Sequence, residues 1–130
     1  MTESTELRQP PLKLSKDSLD CIIEMAGYGI AYWAVSATQD DDARTYTITE
    51  SAEGNSEVHT LTYDKIEETF WKLADSWQVL SVNNTIRGYF YKAVTDGIED
   101  GKGDIDAGHM DADAADVLMQ FACFGELIYG

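Results

Sequence analysis

The apolar residues of this chain change their spacing twice. Leu19, Ile22, Ile23 and Ala26 recur at helical intervals, with Asp17, Asp20 and Glu24 on the other side. From Gly29 to Tyr63 the interval falls to two, in GIAYWAVSA, TYTITES and EVHTLTY, each rich in aromatic and β-branched residues. From Ile66 onward the helical interval returns. Residues three or four apart share a helix face, whereas alternate residues share a strand face. One helix, three strands and further helices are therefore expected in that order. The segments TQDDDAR and AEGN between the strands are turn-like, and strands joined by short turns pair antiparallel. The predicted class is α+β, a three-stranded antiparallel meander packed with about four helices in the order α-βββ-ααα.

Element ends carry their own signals. Gly27 and Gly29 are expected to stop the first helix. Asp64 with Glu67 gives a capped start to the second, whose apolar face is Ile66, Phe70, Leu73, Ala74 and Trp77. A third begins near Asn83 or Asn84, buries Ile86, Phe90, Ala93 and Val94, and ends about Gly97. Asp111 or Asp113 caps the last, where VLMQFACFGELIY is apolar nearly all round and so belongs at the centre of the core. Residues 1–14, with Pro10-Pro11, read as a flexible arm. Residues 15–130 read as a single α+β domain, a length that suits one core.

A net charge of −15 argues against direct binding to nucleic acid or to an anionic membrane, and favours a basic protein partner. The N-terminus lacks a secretory h-region, and no apolar run approaches the roughly 18 residues that span a bilayer. A cytoplasmic protein is expected. Cys21 and Cys123 both lie in apolar helical patterns and read as reduced thiols packed as small hydrophobes.

The charge concentrates in residues 99–116, EDGKGDIDAGHMDADAAD, where seven carboxylates face Lys102 alone, and in a second cluster at Asp40, Asp41 and Asp42. One reading is a calcium loop. Asp100 to Asp106 resembles the middle of an EF-hand, but with Gly103 at the loop's glycine the first, fifth and twelfth positions become Ile98, Lys102 and His109. Three ligand positions then fail. A metal- or small-ligand-responsive loop over 96–111 is the broader form of that reading.

Another is mimicry of DNA, which presents one charge about every 1.7 Å along its axis. Asp40, Asp41, Asp42, Glu99, Asp100, Asp104, Asp106, Asp111 and Asp113 on a rigid face would then occupy the basic groove of a nucleic-acid-binding protein. The plain alternative is a solvated surface that aids solubility or suits high salt.

No catalytic motif or P-loop appears, so neither an enzyme nor a cofactor is expected. His59, on the same strand face as Leu61 and Tyr63, and His109 in the acidic loop have no motif partners. Cys21, His59, His109 and Cys123 lack the paired spacing of a zinc site. Aromatic residues suggest contact surfaces instead. Tyr32 and Trp33 should point to opposite faces of the first strand, leaving one ring for solvent or a partner. Trp71 falls off the centre of its apolar face, and Tyr89-Phe90-Tyr91 cannot all face one core. Trp33, Trp71 and Tyr91 are thus candidate apolar anchors; the alternative packs each at the margin of the core.

AGYGIAYWA at residues 26–34 and DAADVLMQFACFGELIYG at 113–130, with the Thr-rich hairpin and the TLTYDKI helix start, resemble small acidic proteins of unassigned function from actinobacterial phages and mobile elements. The resemblance covers most of residues 18–130. It implies a protein of the bacterial host's cytoplasm that acts by stoichiometric binding to a host protein, including inhibition of nucleic-acid-targeting defence.

Overall fold

A computed structural model describes residues 13–51, 56–75 and 84–129. Pro10-Pro11, the AEGN turn, Trp77 and Asn83 lie outside the described residues. The chain forms α1 (Lys16–Gly29), β1 (Ala34–Asp40), β2 (Thr45–Glu50), β3 (Val58–Thr62), α2 (Tyr63–Asp75), α3 (Asn84–Asp100) and α4 (Ala112–Phe124). Short 3₁₀ turns occupy Ile30–Tyr32 and Ala107–His109. This is the α+β order expected from the spacing. The strands form one antiparallel meander, β1-β2-β3.

β2 shows why the alternating residues make a sheet. Tyr46, Ile48 and Glu50 are buried on one face, while Thr47 faces the other, across from Thr60 on β3. α4 packs against α1, α2 and α3 and carries a nearly continuous buried run from Ala114 to Gln120. Its central position was legible in its hydrophobicity. Its length was not: the helix ends at Phe124, where Gly125 takes φ 77° and its N–H reaches Phe121 O at 2.9 Å. Leu127 to Tyr129 then leave the helix.

α1 runs through Gly27 and ends at Gly29, the second of the two glycines expected to stop it. Gly29 also allows close packing, because a Cβ at that position would lie 2.1 Å from Ala112 O. Two other boundaries differ from expectation. The first strand starts at Ala34 because Ile30–Tyr32 winds into a turn closed by Trp33 N–H to Ile30 O, 2.9 Å. That turn sends both Ile30 and Trp33 into the core, an arrangement that alternation along a strand would forbid. At α2, Thr62 supplies the capping oxygen, accepting from Lys65 N–H at 3.0 Å.

The expected arm reached residue 14, yet Lys13 and Leu14 are docked. Lys13 pairs with Asp104 through Lys13 N–H to Gly103 O at 2.9 Å and Ile105 N–H to Lys13 O at 3.1 Å. Leu14 is buried.

Candidate functional site

The acidic segment is largely folded inward. Asp104, on the turn after α3, accepts hydrogen bonds from Ser15 N–H (3.0 Å), Ser15 Oγ and Ser18 Oγ (2.9 Å). Ser15 is also the cap of α1, so this carboxylate fastens the first helix to the far end of the chain. Asp106 accepts from Gly108 N–H, and Asp111 caps α4 through Ala114 N–H at 2.8 Å. Asp96 meets His109 Nε2 at 2.6 Å. Glu99, Asp100 and Asp113 remain exposed.

Burial alone would push the Asp104 carboxyl up, but the hydrogen bonds from Ser15, Ser18 and Ile105 outweigh it and hold its pKa below the ordinary value. A depressed carboxyl contributes stability above its unfolded pKa of about 3.9, lost as pH falls through the folded value. Asp104→Ala is expected to cost about 2–3 kcal/mol at neutral pH, since charged hydrogen bonds are the stronger kind. The same variant should show a shallower acid-side decline in urea-melt stability than the parent. An unchanged acid profile would mean that Asp104 does not couple protonation to folding.

A second polar cluster lies within the core. Asp116 is only 8% exposed. Its carboxylate accepts from Trp33 Nε1 at 2.7 Å, Tyr32 OH at 2.9 Å and Gln120 Nε2 at 3.1 Å. The Gln120 carbonyl in turn accepts the N–H groups of Ile128 (3.0 Å) and Tyr129 (2.9 Å). Tyr129 stacks on Trp33 with centroids 5.2 Å apart, and its hydroxyl donates to Glu50, which also meets His59 Nε2 at 2.6 Å. Burial, aided by the Asp116 bond, pushes the Tyr32 phenol up to about 12. The polar atoms here satisfy one another, so the cluster reads as architecture. His59 belongs to it.

The surface that stays open is β1. Every residue from Val35 to Asp40 is exposed. Ala37 and Gln39 share the sheet face of their β2 partners Ile48 and Tyr46, but both stay exposed, and α1 meets Gln39 at its Asp20 end while leaving Ala37 uncovered. Between α1 and β1 lies a cleft of about 400 Å³, walled by Ile23, Gly27, Ile30, Ala34, Val35 and Ala37 with Glu24 at its rim. Asp20, Asp40, Asp41 and Asp42 stand at one end: Gln39 Nε2 reaches Asp20 at 2.8 Å, and Lys16 Nζ bridges Asp20 (2.8 Å) and Asp41 (3.2 Å). Asp40 accepts Ala43 N–H in the β1–β2 turn. Tyr63 OH donates to Asp41.

No known protein family, curated protein or solved structure matches the chain.

Of the carboxylates picked out in the sequence, the structure gathers Asp40, Asp41 and Asp42 beside the cleft and leaves Glu99, Asp100 and Asp113 exposed. Asp104, Asp106 and Asp111 are engaged in internal contacts, and so are Asp40 with Ala43 N–H and Asp41 with Lys16 and Tyr63. The aromatic anchors need a larger correction. Trp33 is 2% exposed and bonded to Asp116, while Trp71 is 9% exposed and packs edge-on to Phe70 at 5.1 Å. Neither ring is available to a partner; Tyr91 is exposed. Sequence reasoning missed Tyr28 and the open cleft. Tyr28 is exposed on α1, next to the glycine expected to end the helix.

The EF-hand reading also fails on geometry, because the Asp104 carboxylate points to Ser15 and Ser18 and Gly103 pairs with Lys13. Asp96, Asp106 and His109 do converge, with ligating atoms within 4.8 Å of one another. Glu50, Glu57 and His59 form a similar group. Among the described residues, no helix is long and apolar enough to cross a membrane.

Proposed function

We propose that this chain is a stoichiometric binding module for a basic protein, acting in a bacterial cytoplasm as a phage or mobile-element product. It carries out no catalysis of its own. The observation behind this reading is the exposed, acid-rimmed edge at β1. Asp20, Glu24, Asp40, Asp41 and Asp42 surround it, against Lys16, which is paired with two of these carboxylates, and Arg44, which lies over the Tyr63 ring. A net field of that sign attracts cationic surfaces and repels nucleic acid. A site evolved to hold phosphates fits it, so inhibition of a host nucleic-acid-binding or defence protein by mimicry of DNA is the specific form we favour.

The test is affinity capture from an actinobacterial lysate at low and high salt, with duplex DNA as competitor. A nucleic-acid-binding protein should be captured, released by salt and displaced by DNA. The Asp40→Asn, Asp41→Asn and Asp42→Asn triple variant should weaken binding by about tenfold or more, or about 1.4 kcal/mol. Capture indifferent to salt and to the triple variant would overturn the reading.

A second reading, a metal-responsive loop over 96–111, is favoured by one observation: His109 Nε2 lies 2.6 Å from Asp96 and 3.6 Å from Asp106. One imidazole with two carboxylates suits a transition-metal dication better than calcium. Calorimetry with Zn²⁺ distinguishes the two readings. A stoichiometric heat abolished in His109→Ala supports the loop, and diffuse heat that survives the substitution excludes it.

A further inference from the structure

Two features of β1 go beyond charge. The strand pairs with β2 alone, and an edge strand directs alternate N–H and C=O groups away from its single neighbour. From Ser36 to Asp40 the pairing with Thr49 to Thr45 is regular; the register shift is confined to Ala34–Ser36. A regular edge of this length accepts another strand, whereas the irregularity closes off its other end. Beside that edge lies the cleft, and small side chains keep it open: Ala37 sits opposite Ile48, and a Cβ at Gly27 would meet nothing within 4 Å.

We infer that the edge of β1 takes an extended segment of the basic partner as a fourth strand, with Lys or Arg at the alternate positions that enter the cleft. This rests on the basic-partner reading above and specifies how that partner is held. Strand addition draws affinity from main-chain hydrogen bonds and specificity from pockets for alternate side chains. The cleft suits a long cationic side chain at both ends: the aliphatic stem lies along Ile23, Ala34 and Val35, and the charged head reaches Glu24 at the rim. Segments with Asp or Glu at these positions are repelled. Charge also argues against a second copy as occupant, since pairing two β1 edges would bring two chains of net charge −15 together.

The test uses the whole chain and a short synthetic peptide alternating Lys with Thr, against the same peptide N-methylated on alternate amides of one edge. The two methylation registers are both made. The unmodified peptide should bind and slow amide hydrogen exchange in Ser36 to Asp40. One methylated register should bind about tenfold more weakly or worse while carrying the same charge. Ala37→Trp, at an exposed position, should fill the cleft and weaken the unmodified peptide without lowering stability.

Equal binding by all three peptides, with no slowing of exchange in β1, would overturn strand addition and leave the basic-partner reading intact. No peptide binding, alongside salt-released capture of a basic protein, would have the same effect. Loss of both would overturn the two together. A concentration-dependent dimer that slows the same amides would assign the edge to a second copy, against this inference.

Discussion

An Asp116→Ala variant is expected to lose about 3–5 kcal/mol of stability, the usual scale for breaking a buried charged network. The substitution leaves Trp33 Nε1 and a proton of Gln120 without their carboxylate inside the core, and each stranded buried donor costs about 1–3 kcal/mol, whereas the Tyr32 hydroxyl that loses the same acceptor belongs to an exposed side chain. Tyr32 and Gln120 retain other partners at Tyr129 O, which keeps the total below the sum. The melting temperature should fall by roughly 10–20 °C. Asp116→Asn keeps an acceptor for the indole and should cost less than half as much. Urea denaturation of the three proteins is the measurement. An alanine variant within about 1 kcal/mol of the parent would show that the cluster contributes little.

The second large effect is expected at Gly29, with the opposite sign two residues away. A methyl group at Gly29 would meet Ala112 O at 2.1 Å and the Asp116 Cβ at 3.0 Å. The obstacle at 2.1 Å is backbone, so α1 and α4 must separate. Overpacking of this kind costs typically 1–3 kcal/mol and here about 3. At Gly27 a methyl meets nothing within 4 Å, inside the same helix. Gly27→Ala should therefore stabilise by about 0.5–1 kcal/mol, by restricting the unfolded chain. Thermal melts of the pair decide it. If both changes act alike, contact between the helices is not what distinguishes the two glycines.

The succession of elements was legible because it depends on local spacing, which survives in one dimension. Helical intervals at Leu19 to Ala26 and at Ile66 to Ala74, with alternation at Tyr46, Ile48 and Glu50, fix the order without reference to tertiary contacts. What was hidden depends on residues distant in sequence. Trp33 read as a strand residue because nothing nearby announces Asp116, its buried acceptor. Gly29 read only as the end of its helix, because the carbonyl of Ala112 that it packs against is equally remote. The acidic stretch carried the same ambiguity. Asp100 and Asp104 look equivalent in the sequence, yet one is exposed and the other is held by two serines near the start of the chain. The open edge was illegible for a related reason. Alternation in β1 says that it is a strand, and only the position of α1 says that its inward face is left uncovered.

The bonds that hold this domain together also set an order on its making. Ser15 to Asp104, Trp33 to Asp116 and Glu50 to Tyr129 join residues 89, 83 and 79 positions apart. Closing such separations costs chain entropy before any contact repays it. During synthesis the first helix and the meander emerge well before Asp104 and Asp116. Until those residues appear, the indole of Trp33 lacks its acceptor and Ser15 caps α1 without the carboxylate that later binds it.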